Sequence, residues 1–292
     1  MIKQRLAQDS ARFVARLLPS SNPVVSHQLI HLIGLKRSGL HALSFWILGH
    51  QESNMLFNNS PLKKPGKGSY MSRTNHRSPL PVVIRQGDEV SVYKDKGEHF
   101  QPLGDRVDLS IVVFQSQSLP YLSSAQPNLT TGIQASTVRQ ILTIRDPFNW
   151  AASYIKKSQH PNDHLVWPRL WLEYANEFVG NTNYLPTALK VNYNQWFCDR
   201  QYRQQISAQL SLDFTDEALE VVTPHANGSS FDETKFDAQA QNMAITERWR
   251  HYQNDPAYIE AFKRHPEIIE IAMSSFELSP DLQAFAQSCQ EN

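Results

Sequence analysis

Cysteine is scarce: only Cys198 and Cys289 occur in 292 residues. Two isolated thiols give no metal-ligand spacing and no disulfide framework, so the chain reads as a protein of a reducing, cytoplasmic setting. Net charge is missing as well. Lysine plus arginine number 28 and aspartate plus glutamate 28, a balance that supplies no long-range field toward nucleic acid or an acidic membrane surface. Any anion site must therefore be local. The N-terminus lacks the roughly 7–15-residue apolar core of a secretory signal, and no apolar run approaches the ~20 residues that cross a bilayer. With no secretory route in view, the glycosylation-type triplets that begin at Asn58, Asn128 and Asn227 read as coincidences. There are no internal repeats and no low-complexity segment. One domain over 1–292, carrying an insertion, is the natural expectation.

What the sequence does contain is a strong central stretch, Gln28 to Gly49. It opens with an apolar run, Leu29 to Ile33, then turns through Gly34-Leu35-Lys36-Arg37-Ser38-Gly39 and continues as an apolar helix, Leu40 to Leu48. Strand, glycine-bounded loop and helix make a phosphate-binding turn, because the loop amides and the helix N-terminus aim donors and partial positive charge at an anion. Gly34 and Gly39 have the four-residue gap of a Walker loop, but Leu40-His41 follows where Lys and Ser or Thr belong. The hydroxyl that would hold magnesium is absent, while an arginine and a serine stand inside the turn. An ordinary strand-to-helix connection is the alternative, and two adjacent cations in so tight a loop argue against it.

Around that stretch the pattern alternates strand and helix. Residues 1–22 predict an N-terminal helix, packed on the body or, alternatively, lying at a membrane interface. Asn54 to Phe57 reads as a second strand. Residues 58–108 read as a basic, loop-rich excursion over the sheet edge (Lys63, Lys64, Lys67, Arg73, His76, Arg77), with Val82–Ile84 and Val90–Tyr93 available for a hairpin. Leu109–Phe114 and Ile141–Ile144 have the apolar character of interior parallel strands. Asp146 and Pro147 suit the cap and first turn of a helix. Leu165–Val179 is amphipathic, Ala188–Val191 is a final strand, and from Trp196 onward the chain predicts mostly helix, broken by a loop at 223–230. The implied fold is α/β, a doubly wound parallel sheet with helices on both faces and a mostly helical C-terminal part.

Ligands of such sheets bind beyond the carboxyl ends of the strands. Two of those ends carry cationic turns: Arg37-Ser38-Gly39 after the first strand, and Arg145-Asp146-Pro147 after Ile144. Ser153 follows Arg145 by eight residues, too deep in its helix to cap it but able to reach a ligand along the flank. Two separated anion grips suit a nucleotide phosphorylated at two places. For Arg145 the competing reading is a salt bridge with Asp146, and for Ser153 a small packing residue.

These two turns resemble the signatures of sulfotransferases that use 3′-phosphoadenosine 5′-phosphosulfate (PAPS), members of the P-loop superfamily. The resemblance implies a 5′-phosphosulfate held by Lys36, Arg37, Ser38, Gly39, Leu40 and His41, and a 3′-phosphate held by Arg145 and Ser153. Leu189-Lys190-Val191-Asn192-Tyr193 is similar to the late strand of that family, which implies an adenine contact at Tyr193. Leu40-His41 departs from the Thr-Thr common after the loop glycine, with His41 either a substitute donor or a packed helix residue. The general base of the family has no counterpart at Asn58-Asn59 or Gln115-Ser116-Gln117, leaving His76 and Glu52 as candidates. Asn227-Gly228-Ser229-Ser230, Lys235, and Arg248 or Arg250 are candidates for a further phosphate loop, the surface being their expected place. The resemblance implies PAPS as co-substrate, no metal, Arg37 as the residue that neutralises transferring charge, and a small-molecule or carbohydrate acceptor. Trp150, Trp167, Trp171 and the 58–108 loop could frame a sugar or aromatic acceptor, although tryptophans at helical spacing are usually core. A magnesium-dependent P-loop kinase and a non-catalytic nucleotide-binding module are the alternatives.

Overall fold

The computed structural model describes residues 24–51, 53–57, 82–86, 89–93, 106–124, 133–158, 163–222, 229–233 and 235–290. The N-terminal helix expected over 1–22, Glu52, His76 and Asn58-Asn59 lie outside the described residues. In chain order the elements are β1 (Val24–Gly34), α1 (Leu40–Leu48), β2 (Ser53–Phe57), β3 (Val82–Gln86), β4 (Glu89–Tyr93), β5 (Arg106–Gln115), α2 (Leu119–Ser124), β6 (Ile133–Ile144), α3 (Pro147–Ser158), α4 (Asp163–Val179), β7 (Leu189–Asn192), α5 (Tyr193–Cys198), α6 (Arg200–Gln209), α7 (Pro256–Lys263), α8 (Pro266–Ser275) and α9 (Pro280–Ser288).

The strands form one sheet in the order β4-β3-β2-β5-β1-β6-β7. From β2 to β7 every pairing is parallel, and β3 and β4 extend one edge as an antiparallel hairpin. The doubly wound α/β architecture is the one the alternating pattern predicts, and the excursion over 58–108 contributes that hairpin. β1 is central and buried on both faces. Leu29 and Ile33 enter one core with Phe114, Trp150, Trp167 and Phe262, while Ile30 and Leu32 enter the other with Leu43, Trp46 and Trp196. The two-residue side-chain period of a strand sends alternate residues to opposite layers, so an interior strand must be apolar throughout. Helix α1 covers one layer and α3, α4, α7, α8 and α9 the other.

Register fixes where the loops emerge. Gly34 stands opposite Gln115 of β5 and Thr143 of β6, and Ile144 stands opposite Asn192 of β7. The turns after β1, β5, β6 and β7 therefore leave the sheet side by side, at the switch point where successive strands run to opposite sides of β1.

Past β7 the expectation of mostly helix needs correction. Helices α5 and α6 form, but between Gln209 and Pro256 the described chain holds turns and two short 3-10 segments, Ala240–Asn242 and Arg248–His251. Specific side chains rather than helix propensity secure this region. Arg203 makes a two-pronged contact with Asp216, through Nε at 2.9 Å and a terminal nitrogen at 3.0 Å, and Trp46 Nε1 donates to the same carboxylate at 3.0 Å. Among the described residues no helix is long and apolar enough to cross a membrane.

Candidate anion-binding site

The turn between β1 and α1 closes on itself. Ser38 donates to the Leu35 carbonyl through both its amide, at 3.1 Å, and its hydroxyl, at 2.7 Å. The hydroxyl expected to face a ligand is used inside the turn. The Lys36 amide donates to Ser116 Oγ at 2.9 Å, the Ser116 amide donates to the Gly34 carbonyl at 2.8 Å, and Trp150 Nε1 donates to the Lys36 carbonyl at 2.9 Å. Two neighbours, Ser116 and Trp150, thus set the loop's path before any ligand arrives. Within it Arg37 sits at φ +73, a left-handed conformation that costs a non-glycine residue about 1–2 kcal/mol. Gly39 caps α1 at φ +87 with no side-chain cap, and the first turn of α1 carries no acidic residue. No carboxylate of its own helix answers the positive end of α1.

Gly39 is required by a close approach as well as by its φ. A Cβ built there would stand 1.9 Å from Cε2 of Tyr193. Tyr193 is buried, its ring stacked on Trp196 at 5.3 Å with the Arg145 guanidinium 5.8 Å from its centroid. In this arrangement the ring is a wall between the two cationic turns. Leu40 points its side chain into the core, so only its backbone could serve a ligand. His41 is half-buried on the first turn of α1.

The second turn meets the first here. Asp146 does not pair with Arg145. Its carboxylate caps α3 by accepting the Asn149 amide at 2.8 Å, and it also accepts Asn194 Nδ2 at 2.7 Å. Arg145, 2 % exposed, donates to Ser153 Oγ at 3.3 Å and to the Ile245 carbonyl, while Trp171 Nε1 holds its own carbonyl at 3.0 Å. Ser153 also receives Arg248 at 3.0 Å and donates to the Asn149 carbonyl at 2.9 Å. One hydroxyl proton and two lone pairs are thereby all engaged, so Ser153 fixes two guanidinium groups relative to each other.

Of the two candidates Arg248 and Arg250, which the sequence does not tell apart, the structure brings Arg248 into the site. Expected at the surface, it is 7 % exposed and joins the cluster, whereas Arg250 is the surface residue, paired with Glu247 and Asp281. Ser229 and Ser230 also belong here: Ser229 Oγ accepts from Arg248 at 2.8 Å, and Ser230 Oγ accepts from Arg37 Nε at 2.6 Å. Lys235 lies beside Phe236, its ammonium 5.4 Å from that ring's centroid. Trp150, Trp167 and Trp171 are fully buried, so they form core and do not frame an acceptor. Trp150 and Trp171 reach the site only through the N–H groups that hold its loops.

Electrostatically, the three arginines are under pressure. Burial, then Arg145, pushes Arg37 down to about 10. Burial, then Arg145, pushes Arg248 down to about 9; Asp232 opposes that push and Arg37 adds to it. Burial lowers Arg145, and burial with Arg37 and Lys157 lowers Lys36. The Nε groups of Arg145 and Arg248 are buried with no hydrogen-bond partner. Desolvated cations held together in this way, at the end of an uncompensated helix, gain most from a multiply charged oxyanion.

No protein-family model matches the sequence, and no characterised protein sequence matches it. The fold resembles that of a sulfotransferase. The solved structure of mouse sulfotransferase SULT7A1 complexed with PAP aligns with 89 % of this chain and 90 % of its own, at 16 % identity and a TM-score of 0.42. A chemical assignment has to come from side chains.

Proposed function

We propose that the chain is a sulfotransferase that moves a sulfuryl group from PAPS to a hydroxyl or amine acceptor. The observation that carries this reading is the convergence of Arg37, from the turn after β1, with Arg145 and Arg248, from residues far apart in sequence, around Ser153 and Ser230. A doubly phosphorylated adenosine presents two oxyanion groups, one for the β1–α1 turn and one for the Arg145–Arg248 pair. The orphaned, buried Nε groups of Arg145 and Arg248 fit such a group, since a phosphate would supply the acceptors they lack.

The donor, when bound, supplies the activated sulfuryl group. The protein's part is electrostatic. Arg37 and the amides at the start of α1 would neutralise charge building on the bridging and sulfuryl oxygens, and because the loop backbone is already fixed its amides would do so with no reorganisation. Arg145 and Arg248 would hold the remote phosphate and so orient the donor. His76 and Glu52 remain the proposed bases. The test compares adenosine 3′,5′-bisphosphate with ATP plus magnesium by calorimetry, followed by transfer from 35S-labelled PAPS to a panel of phenolic, amine and sugar acceptors. Tight binding of the bisphosphate together with labelled product supports the assignment. Preference for ATP with magnesium would replace it with a kinase, and binding without transfer would replace it with a nucleotide-binding module.

A further inference from the structure

Residues 229–233 form a small closed turn, with the Ser229 amide donating to the Glu233 carbonyl at 2.8 Å and the Glu233 amide donating back at 3.2 Å. The turn straddles the cation cluster. Ser230 Oγ accepts from Arg37 Nε and donates to the Ser153 carbonyl at 3.3 Å, while Ser229 Oγ accepts from Arg248. Asp232 is the carboxylate of this turn: it accepts a hydrogen bond from the Ser229 hydroxyl at 3.0 Å and stands 3.7 Å from Arg248. Phe231 backs the arrangement, 5.3 Å beneath the Arg248 guanidinium and stacked on His251 at 4.8 Å. Such a turn supplies hydroxyl acceptors and one negative charge to the two arginines that a phosphorylated ligand would approach, yet it leaves the Nε groups of Arg145 and Arg248 unsatisfied.

We propose that the 229–233 turn is a counter-ion latch, in which Asp232 and the two serine hydroxyls hold Arg248 and Arg37 in the ligand-free protein and yield them when an anion binds. The inference rests on the reading of this cluster as the donor site. Its consequence is opposite to that of an ordinary contact residue. A carboxylate that stabilises the empty cluster must disfavour the filled one, because it repels the incoming oxyanion and loses its own attraction to Arg248. Removing the charge while keeping the shape should therefore tighten binding.

The experiment measures binding of inorganic pyrophosphate and of adenosine 3′,5′-bisphosphate by calorimetry to the wild-type chain, to Asp232→Asn and to Ser230→Ala. Asn keeps an acceptor for Ser229, so the turn can persist. The expected result is affinity roughly three- to tenfold higher in Asp232→Asn, the scale of one partly screened charge, with a lower melting temperature in the absence of ligand. Ser230→Ala should bind at least as well as wild type. Equal or weaker binding by Asp232→Asn overturns the latch, and a loss of tenfold or more in Ser230→Ala would make that hydroxyl a ligand contact and overturn it too. Pyrophosphate binding without bisphosphate binding would refute the nucleotide assignment while leaving the latch standing on the pyrophosphate comparison. Binding of neither ligand would refute both.

Discussion

Replacing Arg248 with methionine separates a site arginine from a structural one. The guanidinium is 7 % exposed, and burial, then Arg145, pushes it from its ordinary range down to about 9. At about 1.36 kcal/mol per tenfold, holding it charged at neutral pH costs the fold on the order of 5 kcal/mol. Against that stand its bonds to Ser153 at 3.0 Å and Ser229 at 2.8 Å, each worth about 1.5–3 kcal/mol as a charge-assisted contact. The two sides nearly cancel. Arg248→Met should therefore leave ligand-free stability within about 2 kcal/mol of wild type, a change of several degrees in Tm for a chain of this size. Affinity for adenosine 3′,5′-bisphosphate should behave differently, because a phosphate would lose one charge-assisted partner, about 1.5–3 kcal/mol or roughly ten- to 150-fold in Kd. Calorimetry for Kd and scanning calorimetry for Tm on the same preparation read both. A structural arginine gives the reverse pattern, a loss of about 3–5 kcal/mol in stability with ligand affinity unchanged. That outcome would refute the reasoning.

Arg37→Ala should slow sulfuryl transfer at saturating donor on the order of a hundredfold or more, from about 2.7–4 kcal/mol of transition-state stabilisation; near-normal turnover would remove Arg37 from the chemistry. Gly39→Ala places a Cβ 1.9 Å from the Tyr193 ring at φ +87. Backbone strain of about 1–2 kcal/mol and overpacking of about 1–3 kcal/mol should lower the denaturant midpoint and weaken bisphosphate binding together. His31 lies in the middle of β1 against Phe114, with neither ring nitrogen bonded, and burial lowers it to about 4 from 6.5. Between those values the unfolded chain binds a proton that the folded chain refuses, so stability rises with pH and is lost as pH falls from about 6.5 toward 4. The loss should total about 3 kcal/mol. Urea titrations at pH 7 and pH 5 should show about 2 kcal/mol of it, and His31→Leu should flatten it.

The parts of the fold that follow from local pattern were legible. β1 and β5 announce themselves because a strand covered on both faces has no polar alternation, and the glycine spacing of the first turn marks where β1 stops. Asp146 before Pro147 marks the start of α3 in the same way, through a cap that needs only adjacent residues. The chain after α6 was misread because its order comes from distant contacts. Arg203 with Asp216 and Trp46 with Asp216 hold turns in place with no 3.6-residue period to detect. The site divides along the same line. Arg37 and Arg145 could be picked out because each follows a recognisable strand, whereas Arg248 belongs to a 3-10 turn and meets Ser153 across 95 residues of sequence. In the string Arg248-Trp249-Arg250 both arginines look alike. Only the packing of Trp249 into the core beside Phe285 sends one inward and the other out to Glu247 and Asp281.

That asymmetry bears on why the cluster can exist at all. Three crowded guanidinium groups with, among the described residues, one partly exposed carboxylate nearby are a poor way to stabilise a fold, and the penalty has to be met elsewhere in the structure. It is met by the rigid surroundings: Asp146 joined to Asn149 and Asn194, Trp150 and Trp171 bonded to loop carbonyls, and Tyr193 wedged between Gly39 and Trp196. Apart from the Asp146 carboxylate, which is consumed in capping, these contacts hold backbone and neutral side chains, so they persist whether or not an anion is present. A fold that needed the arginines for stability would pair them with carboxylates, as it does at Arg203 and Asp216. Here the carboxylate beside Arg145 is turned away and consumed in capping. Among the described residues no carboxylate forms an ion pair with Arg145, and its charge is left for a negative charge that comes from outside the chain.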